Sequence, residues 1–200
     1  MASISNSIIS LLETIPTEWQ MLVLSFFSFA EGLPVIGSVL PGGTIAIFAG
    51  GLSAKGIIAP LTACTIVGLA SFLGDMTGFL IAKRFKHLKW IKAIVENEKH
   101  QKSWELFDRH LALIAIFGKL IPLVRSTPSL FAAVRGVHTK RYIIYSFIGS
   151  MIWGVVGVYA GNFFTSYFGD RALSLILLLI IVSIISVLIH QAIKHLRFHK

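Results

Sequence analysis

The chain has 200 residues, of which 55% are hydrophobic and only 14% charged, and it carries a formal net charge of +9. A soluble domain normally holds about 25% charged residues, so this composition excludes an ordinary water-soluble globule and predicts an all-α, multi-pass membrane protein. The basic residues fall beside apolar segments, where positive-inside topology and anionic lipids account for them without nucleic acid. With one cysteine, Cys64, an intrachain disulfide and a cysteine-based zinc site are both excluded.

The N-terminal third begins with residues 1–19, which lack the features of a cleaved signal peptide and are predicted to form a short helix at the membrane interface. Residues 21–57 place two apolar runs around Glu31 and a set of turn-forming residues. These are Pro34, Pro41, Gly42 and Gly43. Prolines break a helix and glycines permit a tight turn, so this stretch is predicted to be a re-entrant helical hairpin. A transmembrane helix is predicted over residues 59–82, with Asp75 as its only charge.

The remainder opens with residues 83–109, a lysine- and arginine-rich stretch with apolar residues at close to helical spacing. This pattern predicts a basic amphipathic helix on the membrane surface. Further transmembrane helices are predicted over residues 142–164 and 170–193, before a basic cytoplasmic tail, residues 194–200.

Between these segments, residues 111–137 combine Pro122 and Pro128 with Lys119 and Arg125. If all the basic clusters are cytoplasmic, this segment begins and ends on the same side of the membrane. It is therefore predicted to be a second re-entrant hairpin.

The two halves of the chain share a sequence pattern. A charged residue is followed by proline at the third position in both hairpins, as Glu31/Pro34 and Lys119/Pro122. The following spans also match, with SFLGDM at residues 71–76 and SFIGSM at residues 146–151. Because the first hairpin enters from outside and the second from inside, we predict an inverted repeat, an arrangement with transport sites near the midplane.

Several motifs resemble the DedA family of bacterial membrane proteins, within the VTT-domain superfamily. They are Glu31, LPGG at residues 40–43, GDMTG at residues 74–78 and FGKLIPLVRSTPSLFAAVRG at residues 117–136. The resemblance covers roughly residues 20–165. It implies two opposed hairpins and a role in lipid transport in the bacterial cytoplasmic membrane. Members are linked to undecaprenyl phosphate recycling, phospholipid movement and proton-dependent envelope homeostasis.

Carried onto this sequence, the resemblance makes Glu31 and Arg125 functional residues. It places Lys119 where the family has an arginine, which keeps the charge but replaces a bidentate fork with a point charge. It places Gly43 where the family commonly has a second acid. The carboxylate pair expected for proton coupling is therefore incomplete at that position.

Each charged residue has alternative interpretations. Lys119 and Arg125 either bind a phosphate head group or extend to the cytoplasmic interface, and the cost of charge at membrane depth favours binding. Glu31 is either a titratable gate or the structural counter-ion of one of these cations. Asp75 joins the cavity, caps an unwound turn, or pairs with a nearby base.

The leading hypothesis is a transporter that moves an anionic lipid head group, as of undecaprenyl phosphate or a phospholipid, across the membrane. A proton-coupled antiporter of small cations or drugs is the alternative. A lipid-modifying enzyme is disfavoured because no serine or cysteine lies in a recognisable catalytic motif. An assembly factor would rely on the GxxxG pairs Gly74/Gly78 and Gly157/Gly161.

The expected partners are membrane lipids, with protons as a candidate coupling ion. No nucleic acid, metal or other cofactor is expected, and a homo-oligomer is left open.

Overall fold

The computed structural model describes residues 14–34, 43–85, 109–121, 125 and 127–169. Within these residues every regular element is helical. The helices are α1 (Thr17–Gly32), α2 (Thr44–Ala54), α3 (Pro60–Arg84), α4 (Leu111–Phe117), α5 (Thr127–Val134) and α6 (Thr139–Phe168), with a 3₁₀ turn at Gly118–Leu120 after α4.

Two of the helices, α3 and α6, are long and apolar enough to cross a membrane. They contain 25 and 30 residues, which at about 1.5 Å per residue exceeds a hydrocarbon core of roughly 30 Å. They coincide with the spans predicted at residues 59–82 and 142–164, each continuing a few residues further. Helix α3 starts at Pro60, and the first N–H groups of a helix have no partner within it, so the missing N–H of proline loses no hydrogen bond. Helix α6 ends before Gly169, whose φ of 64° suits glycine.

The two long helices pack against each other in antiparallel directions. Lys83 Nζ, at the end of α3, donates to Thr139 Oγ1 at the start of α6 over 2.7 Å. This contact places the ends that carry the basic residues on the same side, as the predicted topology requires.

Each shorter helix packs mainly on one long helix. Helices α1 and α5 lie against α3, whereas α2 and α4 lie against α6. Glycines permit this close approach: a Cβ on Gly74 would lie 2.0 Å from the Phe29 carbonyl oxygen, and one on Gly161 would lie 1.9 Å from that of Ile47. The GxxxG pairs therefore act within this chain, bringing its own helices together.

The exposed surface differs from that of a soluble protein. Large apolar side chains such as Phe26, Leu61 and Phe163 are exposed, as expected of a surface solvated by lipid. The interior holds small residues and also buried charges, considered below.

Several predicted segments lie outside the described residues. These are residues 1–13 of the interfacial helix, residues 86–108 of the basic surface helix, the span at 170–193, the tail at 194–200, and Pro41, Gly42 and Pro122 of the hairpins. Residues 17–19, expected at the interface, belong to α1, and residues 83 and 84 belong to α3. Helices α1 and α2 contact each other, as do α4 and α5.

Candidate functional site

Four charged side chains from four separate segments meet in the interior. Glu31 is near the end of α1, Asp75 lies within α3, Lys119 is in the 3₁₀ turn, and Arg125 precedes α5. Their exposed fractions are 2%, 1%, 4% and 5%. The four residues proposed from the sequence thus form one buried cluster, and neither cation reaches the protein surface.

Arg125 forms the first ion pair of the cluster, with Glu31. The Nη2 of Arg125 donates to Oε2 of Glu31 over 2.8 Å. On another side, the guanidinium lies 4.9 Å from the ring centroid of Trp153 on α6, which is within range of a cation–π interaction. In this conformation Glu31 is the counter-ion of Arg125, one of the two interpretations offered for it.

Lys119 forms the second ion pair, with Asp75. Its Nζ lies 3.1 Å from Oδ2 of Asp75 and also donates to the Ser150 hydroxyl, with a longer contact of 3.5 Å to Ser146. The same Oδ2 accepts hydrogen bonds from Ser146 and, over 2.9 Å, from Tyr142. Of the three interpretations of Asp75, pairing with a nearby base is the one observed.

A glycine explains how Glu31 reaches this cluster. A Cβ on Gly32 would lie 2.6 Å from the Ser71 carbonyl oxygen and 2.8 Å from the Asp75 nitrogen, so only glycine lets α1 lie this close to α3. The next residue back, Glu31, is thereby held beside Asp75. Lys119 follows Phe117, where α4 tightens into a 3₁₀ turn.

The backbone at Gly43 explains the missing acid. Gly43 has a φ of 94°, and a Cβ there would lie 2.7 Å from Cη2 of Trp153. Any other residue would be strained and would collide with the ring that covers Arg125. The tryptophan thus occupies the space that a second acid at this position would need.

The pocket between these residues is narrow. It is lined by the four charged residues together with Gly32, Ser71 and Trp153, and it leaves no room for a water molecule. Three buried atoms in it have no hydrogen-bond partner in the described part of the chain: Oε1 of Glu31, Oδ1 of Asp75 and Nη1 of Arg125. Unpaired polar atoms are costly in a low-dielectric interior, so these groups are suited to receive a further polar ligand.

Reasoning from the sequence missed the α6 contribution to this cluster. Tyr142, Ser146 and Ser150 recur every four residues in a predicted span, which places their hydroxyls on one helix face. This four-residue spacing was the sequence signal that could have identified the hydroxyl groups. Within the described residues, no group of three or more histidine, cysteine or acidic side chains is placed to hold a metal ion.

The VTT-domain family model matches residues 40–163 of the chain. Inner membrane protein YghB of Escherichia coli (strain K12) is 27% identical over 128 residues, which cover 62% of this chain and 58% of YghB. Protein DedA of the same strain is 24% identical over 186 residues, covering 90% and 84%. Undecaprenyl phosphate transporter A of Staphylococcus aureus (strain NCTC 8325 / PS 47) is 27% identical over 141 residues, covering 66% and 68%.

No solved structure gives a significant match. The aligned part of the chain spans less than two thirds of the length of YghB. The family model nevertheless covers well over half of this chain, in the region that holds Asp75, Lys119 and Arg125. The chain therefore belongs to the DedA family of VTT-domain proteins and resides in the cytoplasmic membrane.

Proposed function

We propose that this protein moves a phosphate-bearing lipid head group across the bacterial cytoplasmic membrane while the lipid tail stays in the bilayer. Undecaprenyl phosphate and phospholipids are the two candidate cargoes. The observation that carries the proposal is the narrow pocket in which two cations and two carboxylates meet, three of them with a polar atom that has no partner in the described part of the chain. A relative named as an undecaprenyl phosphate transporter supports the same class of cargo.

The energetic cost of the cluster supports a functional role. Placing one Asp, Lys or Arg at the centre of a membrane helix costs about 2.5–3.5 kcal/mol on insertion scales. Well-packed apolar residues would often serve a purely structural contact better than a buried ion pair. Lysine and arginine are the side chains that bind phosphate oxygens through charge-assisted hydrogen bonds, so Lys119 and Arg125 are the proposed phosphate ligands.

The second part of the proposal is that the two hairpins form an inverted repeat around this site. Helix α1 packs on α3 as α4 packs on α6, and α2 packs on α6 as α5 packs on α3. Exchanging α1 with α4, α2 with α5 and α3 with α6 gives the same set of helix contacts. Transporters with such repeats open alternately to the two sides by movement of one repeat against the other.

The proposed cycle begins with rearrangement of the ion pairs, because the narrow pocket cannot admit a head group. The phosphate then becomes a partner of the two cations, in place of at least one carboxylate. Protonation of Glu31 would remove the charge that holds Arg125, so protons are the coupling ion to test. This step would link the movement of an anion to the proton gradient.

The test is transbilayer movement of labelled lipid in proteoliposomes, with a fluorescent phospholipid and a prenyl-phosphate analogue compared side by side. Wild type is expected to move at least one of them. Arg125→Ala should lose this activity, and Glu31→Gln should change it because the counter-ion of Arg125 is neutralised. The matched control is Arg84→Ala, which removes an exposed arginine from the last turn of α3 and should leave transport unchanged.

A proton-coupled antiporter of small cations or drugs is the second candidate. It requires a pair of carboxylates, and the structure places Glu31 and Asp75 around the same pocket although Gly43 replaces the family acid. If wild-type proteoliposomes match empty liposomes for both lipids but dissipate a pH gradient when a cation is added, the antiporter replaces the lipid transporter.

A further inference from the structure

Three hydroxyl groups on α6 behave unlike others in the membrane helices. Within a helix, serine and threonine hydroxyls commonly donate to the carbonyl oxygen four residues earlier. In the described helices three residues do so, each over 2.8 Å: Ser25 to Met21, Thr65 to Leu61, and Thr77 to Leu73. Tyr142, Ser146 and Ser150, all 0% exposed, instead direct their hydroxyls to the Asp75–Lys119 pair.

The partners of these hydroxyls differ along α6. Tyr142 and Ser146 both donate to Oδ2 of Asp75, the oxygen that also faces Lys119. Ser150 accepts from Lys119 and has no such bond to Asp75 among the described contacts. Asp75 therefore keeps two hydrogen-bond donors if the lysine moves away.

The other ion pair is built differently. Glu31 has a backbone contact with Gly43, and the side chain that donates to it is Arg125. The guanidinium of Arg125 is covered by Trp153. Nη1 of Arg125 is buried without a partner while Nη2 holds Glu31. The arginine can thus donate to an anion from Nη1 without leaving its carboxylate. The three N–H donors of Lys119 face Asp75, Ser150 and, over 3.5 Å, Ser146, so the ammonium must give up at least one of these contacts to donate to a ligand.

We propose that Lys119 is the movable cation of the head-group site, and that Tyr142 and Ser146 hold the Asp75 carboxylate when Lys119 turns to the phosphate. Arg125 is then the fixed cation, which binds the same phosphate through Nη1. Tyr142 and Ser146 are positioning residues, because they act through Asp75 and do not contact the ligand. This inference rests on the proposed function and adds to it the order in which the two cations are engaged.

The removal of either hydroxyl is expected to hinder release of Lys119. With one donor fewer, Asp75 would be more poorly solvated when Lys119 has turned away, so a smaller fraction of molecules would be competent to bind. A smaller competent fraction raises the apparent dissociation constant in proportion. Hydrogen bonds to charged groups are worth enough for a change on the order of five- to tenfold.

The experiment measures the octyl phosphate concentration that gives half-maximal thermal stabilisation of the purified full chain in detergent. Tyr142→Phe and Ser146→Ala are each expected to raise this concentration about five- to tenfold. Tyr142→Phe keeps the ring that stacks on Phe79 at 4.6 Å, so packing is preserved. Thr65→Val is the matched control, because it removes a membrane hydroxyl bonded only to its own helix, and it should change nothing.

Two further variants separate positioning from a general structural role. Ser150→Ala removes a partner of Lys119 but none of Asp75, so it should favour the turned lysine and lower the half-maximal concentration. In an Asp75→Asn background there is no carboxylate to solvate, and Tyr142→Phe should then change the concentration less than twofold. If Asp75→Asn does not fold, the opposite behaviour of Ser146→Ala and Ser150→Ala still decides the matter.

Equal rises in Ser146→Ala and Ser150→Ala, no rise in Tyr142→Phe, or no binding of octyl phosphate by wild type would each overturn the inference. The liposome assay tests the proposed function separately. If wild type binds octyl phosphate with the expected pattern but moves no lipid, the transport proposal fails and the assignment of the movable cation stands. If lipid moves without the pattern, only the assignment fails.

Discussion

The first and second halves of the chain have the same order of elements but opposite charges at the site. Residues 14–85 and 109–169 each place two short helices before one long helix. The first half contributes the carboxylates of Glu31 and Asp75, and the second half contributes Lys119 and Arg125. The packing is duplicated while the chemistry is divided, so the site is complete only when the two halves meet.

This division has an electrostatic consequence. The site residues within one half carry like charges and repel each other, whereas both ion pairs, Glu31–Arg125 and Asp75–Lys119, join one half to the other. At the place of Asp75 in the matched segments, the second half has Ser150, which contacts Lys119 as Asp75 does. Complete separation of the two halves therefore means breaking both pairs.

The largest effect is expected when one member of an ion pair is removed. Arg125→Gln would leave Glu31 charged and buried, which costs about 3–5 kcal/mol of unfolding free energy. The double variant Glu31→Gln/Arg125→Gln removes both charges and should lose less than the sum of the two single changes. Reversible unfolding in mixed micelles measures all three variants against wild type. Strict additivity would show that the two halves are not coupled through this pair.

A smaller effect is expected when α2 and α6, which join the two halves, are pushed apart. Gly161→Ala places a methyl group 1.9 Å from the Ile47 carbonyl oxygen, so backbone must move, at a cost of about 1–3 kcal/mol. In the control Gly68→Ala, the nearest atom is Cε of Met151 at 2.5 Å. That flexible side chain can move aside, so the loss should be smaller. The same unfolding measurement compares the two, and an equal loss would contradict the backbone contact at Gly161.

The smallest effect is expected at the ring that covers the fixed cation. Trp153→Leu removes the cation–π contact with Arg125, which is worth about 0.5–2 kcal/mol. The exposed Trp19, changed to leucine, is the control for loss of an aromatic ring in the membrane region. If Trp153→Leu unfolds no more easily than Trp19→Leu, the ring does not stabilise Arg125. The difference proposed between the Arg125 and Lys119 ion pairs would then lose this support.

The class of the protein and its two described spans were predictable from the sequence. The long apolar windows around Asp75 and Ser146 are sufficient for this, because a helix of fixed rise per residue needs about 20 apolar residues to cross the bilayer. The buried charges Glu31, Lys119 and Arg125 could also be singled out from the sequence, because charges inside apolar, proline-containing segments are rare and costly. Their functional roles remain predictions. The hydroxyl face of α6 was not recognised, because serines in a membrane helix usually bond to their own backbone.

The sequence by itself thus determined the helical membrane class, the spans and the identity of the four charged residues, since all of these follow from local composition and the cost of charge in lipid. Only the tertiary structure decided which carboxylate pairs with which cation. Glu31 and Arg125 are 94 positions apart, and their contact depends on the close approach of α1 to α3 at Gly32 and on the position of Trp153. Such pairings result from long-range packing, which no local pattern in the chain encodes.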